Sequence, residues 1–251
     1  QLRLQAYSHI ANGANMVEYW HWHSIHNAIE SYWKGVLSHD LAPNRTYKEC
    51  SVVGNEWKRI GSHLVNLKKK NRVAVIASNE ALTGLVEFPM QSKTADGYNT
   101  VLRWLCDALY MMNIEYDIIS SHSDNFSDYD YLFVPALYSA SENELKALDE
   151  YALNGGNLLV TFKSGFSDEH LKIYHDTQPH ILCKTLGIKY DQFTYPANVK
   201  ISYNNVSSDA TEWMELVTCD TAETLCHYDH KVWNTYSAVT LNRYGSGRAM
   251  Y

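Results

Sequence analysis

The larger, C-terminal part of this chain is predicted to be an α/β domain built on an open parallel sheet, and three observations predict it. Residues 72–77, Arg-Val-Ala-Val-Ile-Ala, form a near-continuous apolar run, the pattern of a parallel strand buried on both faces. The segments that follow alternate in a β-α-β-β-α-β rhythm, which places helices on both faces of such a sheet. Ser141 followed by Glu144 is a capping box that opens a helix, and Asn154-Gly155-Gly156 turns the chain out of it into the next strand.

Taken in order, residues 1–11 read as a helix with Leu4, Tyr7, Ile10 and Ala11 on one face, stopped by Asn12-Gly13. Residues 16–22 are dense in β-branched and aromatic side chains and read as a strand. Residues 27–33 read as a loop or a helical turn. A longer helix is expected over 51–68, with Val53, Trp57, Ile60, Leu64 and Leu67 on one face and Lys68-Lys69-Lys70 at its C-terminus, where cations are favoured. Then come the strand 72–77, a helix over 97–113, strands at 116–120 and 131–135, a helix over 141–153 and a strand at 157–162. From 164 to 220 the pattern weakens. Later strands are expected at 224–228, 238–242 and 248–251, and Gly245-Ser246-Gly247 is a tight turn. Residues 1–12 read as a helix already in progress and the chain stops within a strand, so both ends are expected to be cut from a longer protein.

The bulk composition narrows the function classes. At roughly 100–200 residues per domain, 251 residues make one or two domains. No run of about 18 apolar residues offers a membrane span, and a formal net charge of −7 disfavours nucleic acid or an anionic membrane as partner. The 19 Tyr and 7 Trp suit carbohydrate handling, because sugar C–H faces stack on aromatic rings; aromatic residues also fill ordinary cores. Five cysteines, Cys50, Cys106, Cys183, Cys219 and Cys226, read as free thiols in a reducing cytoplasm, although Cys219 and Cys226 could bridge.

The densest chemistry lies in Tyr19-Trp20-His21-Trp22-His23-Ser24-Ile25-His26, followed by Glu30, Tyr32-Trp33-Lys34 and His39-Asp40. At the C-terminal end of a barrel strand such a cluster reads as a site. Three readings are open. His21 and His23, joined by His26 and His39, would suit zinc, but no further ligand motif accompanies them. In a sugar site, Trp22 or Trp33 would stack on a pyranose while Glu30 and a histidine such as His21 bind its hydroxyls. The third reading is a packed aromatic strand with satisfied histidines.

These motifs carry a resemblance. Gly13-Ala14-Asn15, the stretch from Tyr19 to Asn27, Glu30-Ser31-Tyr32-Trp33-Lys34-Gly35 and Leu37-Ser38-His39-Asp40 are similar to the region of the eighth barrel strand in glycoside hydrolase family 42 β-galactosidases. The likeness continues through Gly54-Asn55-Glu56-Trp57 and, by pattern, along the α/β domain. The resemblance implies residues 1–70 as the last strand and helix of a (β/α)8 barrel. It implies 71–251 as a flavodoxin-like trimerisation domain, similar to class I glutamine amidotransferases and truncated at its C-terminal end. It further implies retaining hydrolysis of terminal β-D-galactosyl residues by two glutamates that lie upstream of Gln1, so this chain alone is expected to be inactive. Glu30 falls where the family places a glutamate on the galactose, and Trp33 where some members have histidine.

The amidotransferase-like fold invites a search for a nucleophile. The expected elbow, Val134-Pro135-Ala136-Leu137-Tyr138-Ser139, has no cysteine. No glycine-rich loop follows 72–77, so no phosphate, dinucleotide or other cofactor is called for, and no metal. The expected partners are a galactoside and further copies of the chain in a homotrimer, with the stretch 98–112 near a neighbour's pocket. The alternative is a non-catalytic flavodoxin-like oligomerisation or binding module.

Overall fold

A computed structural model describes residues 1–90 and 97–251, and these divide into two compact units, Gln1–Lys70 and Asn71–Tyr251. Among the described residues no helix is long and apolar enough to cross a membrane.

In the first unit, α1 (Leu2–Ala11) packs on α2 (Arg45–Ile60). Asn12 and Gly13 end α1, Gly13 at φ +96°, a conformation that costs glycine little. Ala6 is fully buried, Tyr7 meets Trp57 edge-on with ring centroids 5.8 Å apart, and Arg3 grips the Glu56 carboxylate through Nε and Nη2 at 2.9 Å each. Leu4, expected on the apolar face, is exposed, while Ala6 is buried and Tyr7 meets Trp57 of α2.

Two expectations for this unit need correction. Residues 16–22 form no named strand. The backbone bends at Trp20 and Trp22, and burial alternates, with Val17, Tyr19 and His21 half-buried between exposed neighbours. A strand is defined by its partners, and among the described residues the pairing is confined to the C-terminal end of this stretch, where it leads into the parallel bridge between His23 and Leu37. The second helix starts at Arg45, not 51, and ends at Ile60, short of the lysine run. Asn44 is the N-cap, its side chain accepting from the Tyr47 N–H at 3.0 Å. A 3-10 turn over Gly61–His63 closes the helix, so Lys68 to Lys70 lie beyond it.

The second unit begins with β1 (Val73–Ala77), α3 (Asn79–Glu87), α4 (Gly97–Met111), β2 (Asp117–Ser120), β3 (Tyr131–Val134), α5 (Glu142–Leu153), β4 (Asn157–Val160) and α6 (Leu182–Leu186). Short strands follow: β5 (Ile188–Lys189), β6 (Phe193–Thr194), β7 (Lys200–Tyr203), β8 (Val206–Asp209), β9 (Met214–Glu215) and β10 (Thr218–Cys219). Then come the longer β11 (Glu223–Asp229) and β12 (Ser237–Tyr244), and last β13 (Gly247–Met250). The main sheet runs β2-β1-β3-β4-β13-β12-β11-β7-β8. From β2 to β13 it is parallel, the flavodoxin-like order; from β13 onward every pairing is antiparallel.

The apolar run of β1 is buried on both sides, as expected. Val73 and Val75 pack against Cys106 and Leu109 of α4, whereas Ala74 and Ile76 join the main core with Leu85 of α3 and Leu145 and Leu148 of α5. The capping box at α5 is present in full, with Ser141 accepting from the Glu144 N–H and Glu144 accepting from the Ser141 N–H. Helix α3 was not anticipated. Its signal was Ser78, which caps it by accepting from the Ala81 N–H at 3.1 Å. The five cysteines are all free thiols, so Cys219 and Cys226 are not bridged.

Candidate functional site

The side chains singled out in the first unit sit on one loop whose two ends are pinned together. Val36 N–H donates to the His21 carbonyl at 2.8 Å, Leu37 N–H to Trp22 at 2.9 Å, and Ser24 N–H back to Leu37 at 3.1 Å. Ser24, nearly fully buried, adds a second tie: its hydroxyl donates to the Leu37 carbonyl and accepts from the Gly35 N–H, both at 3.1 Å. The two arms of the loop pass so close here that a Cβ on Gly35 would stand 2.3 Å from the His23 carbonyl carbon. Only glycine permits that approach. Between the pinned ends, Ala28 at φ +64° leads into a 3-10 turn over Ile29–Tyr32.

Glu30 and Trp33 ride on that turn, linked by the Trp33 N–H donating to the Glu30 carbonyl at 2.8 Å. Glu30 is exposed, and its carboxylate has no hydrogen-bond partner among the described residues. Trp33 and Trp22 are each more than 60% exposed, leaving a large indole face open at both positions. Trp22 also touches Tyr47 edge-on, with centroids 6.4 Å apart. His21 is half-buried, its ring 4.6 Å from that of Trp20. The loop thus holds Glu30 and Trp33 together on one turn and Trp22 on the arm that enters it, while His21 lies on the less exposed side of that arm.

The histidines do not gather as ligands. The rings of His23 and His26 are 5.5 Å apart and those of His26 and His39 5.7 Å apart, and each of the three has a ring nitrogen on a backbone carbonyl. Among the described residues no group of three His, Cys, Asp or Glu side chains could hold a metal ion. Trp20, 82% exposed beside the cis Trp20–His21 peptide, was not singled out from sequence. Its signal was there, as part of the same aromatic run.

In the second unit the elbow position after β3 is taken by Ala136, fully buried at φ +31°, its N–H donating to the Thr161 hydroxyl at 2.7 Å. The turn is sharp but presents a methyl group where a nucleophile would stand. Beyond β4, Lys163 is buried under four rings, its Nζ 3.8 Å from the Trp213 centroid, 4.9 Å from Phe166, 5.1 Å from Tyr138 and 5.6 Å from Phe193. Burial pulls this amine down to about 8, against the pull of Glu215 in the other direction. The Glu215 carboxylate is itself buried, which raises its pKa. It accepts from the Lys163 backbone N–H at 2.9 Å, from Trp213 Nε1 at 3.2 Å and from the Tyr251 hydroxyl. His122 stands between Glu80 and Glu144, with Nε2 and Nδ1 3.2 and 3.5 Å from their carboxylates. The bond to Glu80 and the charge of Glu144 raise its pKa.

Comparison with known proteins follows the same division of the chain. Residues 71–251 match the family described as the β-galactosidase trimerisation domain, and residues 1–60 match the β-galactosidase family. Over its whole length the chain is 30% identical to β-galactosidase BgaB of Geobacillus sp. (strain Y412MC61), of which it covers 37%. The solved structure of Gan42B, a family 42 β-galactosidase from G. stearothermophilus, superposes with a TM-score of 0.91 at 25% identity, over 99% of this chain and 37% of that one. The β-galactosidase of Bacillus circulans sp. alkalophilus shares the fold with the same TM-score at 23% identity, over 100% of this chain and 38% of that one. The chain therefore spans a little over a third of the relatives it matches, and it belongs to the glycoside hydrolase family 42 β-galactosidases, carrying their trimerisation domain and a segment of their β-galactosidase domain.

Proposed function

We propose that this chain works as part of a retaining β-galactosidase that removes terminal β-D-galactosyl residues, and that the loop from His21 to Leu37 forms one side of the galactose pocket. The carrying observation is that a pinned loop, inside the stretch matching the β-galactosidase family, carries on one turn an exposed carboxylate with no hydrogen-bond partner among the described residues and an exposed indole. Glu30 accepts hydrogen bonds from sugar hydroxyls, Trp33 or Trp22 stacks on the pyranose face, and His21 borders the pocket. The two catalytic carboxylates, set roughly 5–5.5 Å apart for retention, belong to the upstream barrel. In this reading residues 1–70 close that barrel, and 71–251 assemble three copies, as the family description suggests. Five free thiols fit a reducing cytoplasm.

Glu30→Gln in the full-length protein tests the pocket. Charge-assisted hydrogen bonds to hydroxyls contribute about 1.5–3 kcal/mol each. The expected loss in kcat/KM on an aryl β-galactoside is therefore roughly ten- to a hundredfold, with an unchanged circular dichroism spectrum. Wild-type kinetics would remove Glu30 from the pocket.

A further inference from the structure

The turn that carries Glu30 supplies little of its own order. It is a single 3-10 turn, Ile29 and Tyr32 are each 89% exposed, and Ala28 enters it at a positive φ. A support reaches it from outside. His39 Nε2 lies 2.8 Å from the carbonyl oxygen of Ser31, the residue after Glu30. A carbonyl only accepts, so this nitrogen carries the hydrogen and His39 is the donor.

His39 is itself held from behind. Its own carbonyl accepts from His26 Nε2 at 2.5 Å, which by the same logic fixes that ring's hydrogen. It stands on a tight turn in which the Leu41 N–H donates to the Ser38 carbonyl at 2.9 Å and the Ala42 N–H to Asp40 Oδ1 at 3.0 Å. Asn44, the N-cap of α2, donates from Nδ2 to the Ser38 hydroxyl at 2.8 Å. A continuous path of hydrogen bonds and backbone thus runs from the start of α2 through Ser38 and His39 to the Glu30 turn.

We propose that His39 is a positioning residue for sugar recognition: by donating from Nε2 to the Ser31 carbonyl it holds the Glu30 turn in the geometry that meets the sugar, with His26 holding His39. This rests on the reading of Glu30 as a galactose contact. His39 touches the turn and not the sugar, so its loss shifts the ordering of the turn onto substrate binding. Interactions that serve the bound sugar and the transition state equally appear in KM more than in kcat.

The experiment uses the full-length protein and an aryl β-galactoside, with His39→Ala, His39→Gln, His39→Asn, Glu30→Gln and the double variant His39→Ala/Glu30→Gln. The loss of one such bond is expected to raise KM about three- to tenfold in His39→Ala, with kcat changed less than about twofold. His39→Gln places an amide N–H near the Nε2 position and recovers most of the loss. His39→Asn places its amide nearer Nδ1 and does not, and this contrast decides the matter if the alanine variant folds poorly. In the Glu30→Gln background His39→Ala adds little, because the contact it positions has gone. Wild-type kinetics in His39→Ala, equal behaviour of the Gln and Asn variants, or full additivity in the double variant would overturn the positioning role while an impaired Glu30→Gln leaves the pocket standing. Unimpaired Glu30→Gln would overturn both.

Discussion

Lys163 shows how much one buried cation depends on its surroundings. Its amine is surrounded by rings, which attract a cation weakly through their faces, and burial still favours the neutral form, bringing the amine to about 8 from 10.5. The sign of the linkage follows. Below pH 8 folded and unfolded chains both hold the proton, and the charged amine bears its desolvation cost. Between about 8 and 10.5 the folded amine has lost the proton while the unfolded one keeps it, so the unfolded state binds more protons and stability rises with pH. Lys163→Met removes this contribution. Denaturant unfolding from pH 7.5 to 10.5 should show the wild type gaining on the variant by up to roughly 3 kcal/mol; parallel profiles would contradict the assignment. Glu215 is the complementary case, a buried carboxylate kept in place by three donors.

At the scale of elements, the pinned loop depends on a position where a side chain is excluded. A methyl on Gly35 would collide with the backbone of His23, which cannot move away as the end of a flexible side chain could. Overpacking of this kind costs about 1–3 kcal/mol, and here the cost falls on the ties between 21–24 and 35–37. Gly35→Ala in the full-length protein is expected to lower kcat/KM roughly five- to a hundredfold by that arithmetic, with the α/β domain's unfolding unaffected. Wild-type kinetics would mean the two arms tolerate separation. The helices illustrate how local signals set boundaries. Asn44 and Ser78 each cap a helix start through a side-chain oxygen, at positions where apolar periodicity alone gave a late start or none.

For the whole molecule, the connections of the sheet explain its mixed strand directions. β12 and β13 are joined by Gly245-Ser246, Gly245 at φ +57°, and so short a connection can only make an antiparallel pair. The expected parallel sheet is thereby extended by antiparallel strands on one side. On its other side lies β2, an edge strand with Ile118 exposed, reached from α4, whose Trp104, Tyr110 and Met111 are exposed, as is Met112 just beyond. In the stretch 98–112, Tyr98, Val101, Cys106 and Leu109 face the core, so self-association through this stretch would use the exposed residues. Three copies meeting through unlike surfaces close into a ring. Sedimentation of the full-length protein across a dilution series should give three times the chain mass, and Tyr110→Glu with Met111→Glu should lower it. A wild-type monomer at every concentration would refute the trimer, and an unchanged trimer in the variant would exclude this surface.

The sequence by itself determined the elements whose signals are local. The doubly buried strand β1 was legible because both its faces needed apolar side chains, α5 because its capping box is contained within four residues, and the Glu30 loop because indole, imidazole and carboxylate crowd one short stretch. Only the tertiary structure decided what depends on partners distant in the chain. That the aromatic run 16–22 pairs, among the described residues, only at its C-terminal end and with residues 35–37 is not written in the run itself. His39 carried no sign of its tie to Ser31, because a hydrogen bond to a backbone carbonyl leaves no mark on the identity of the residue that accepts it. The Lys163–Glu215 pair joins groups 52 positions apart that only the tertiary fold brings within hydrogen-bond distance.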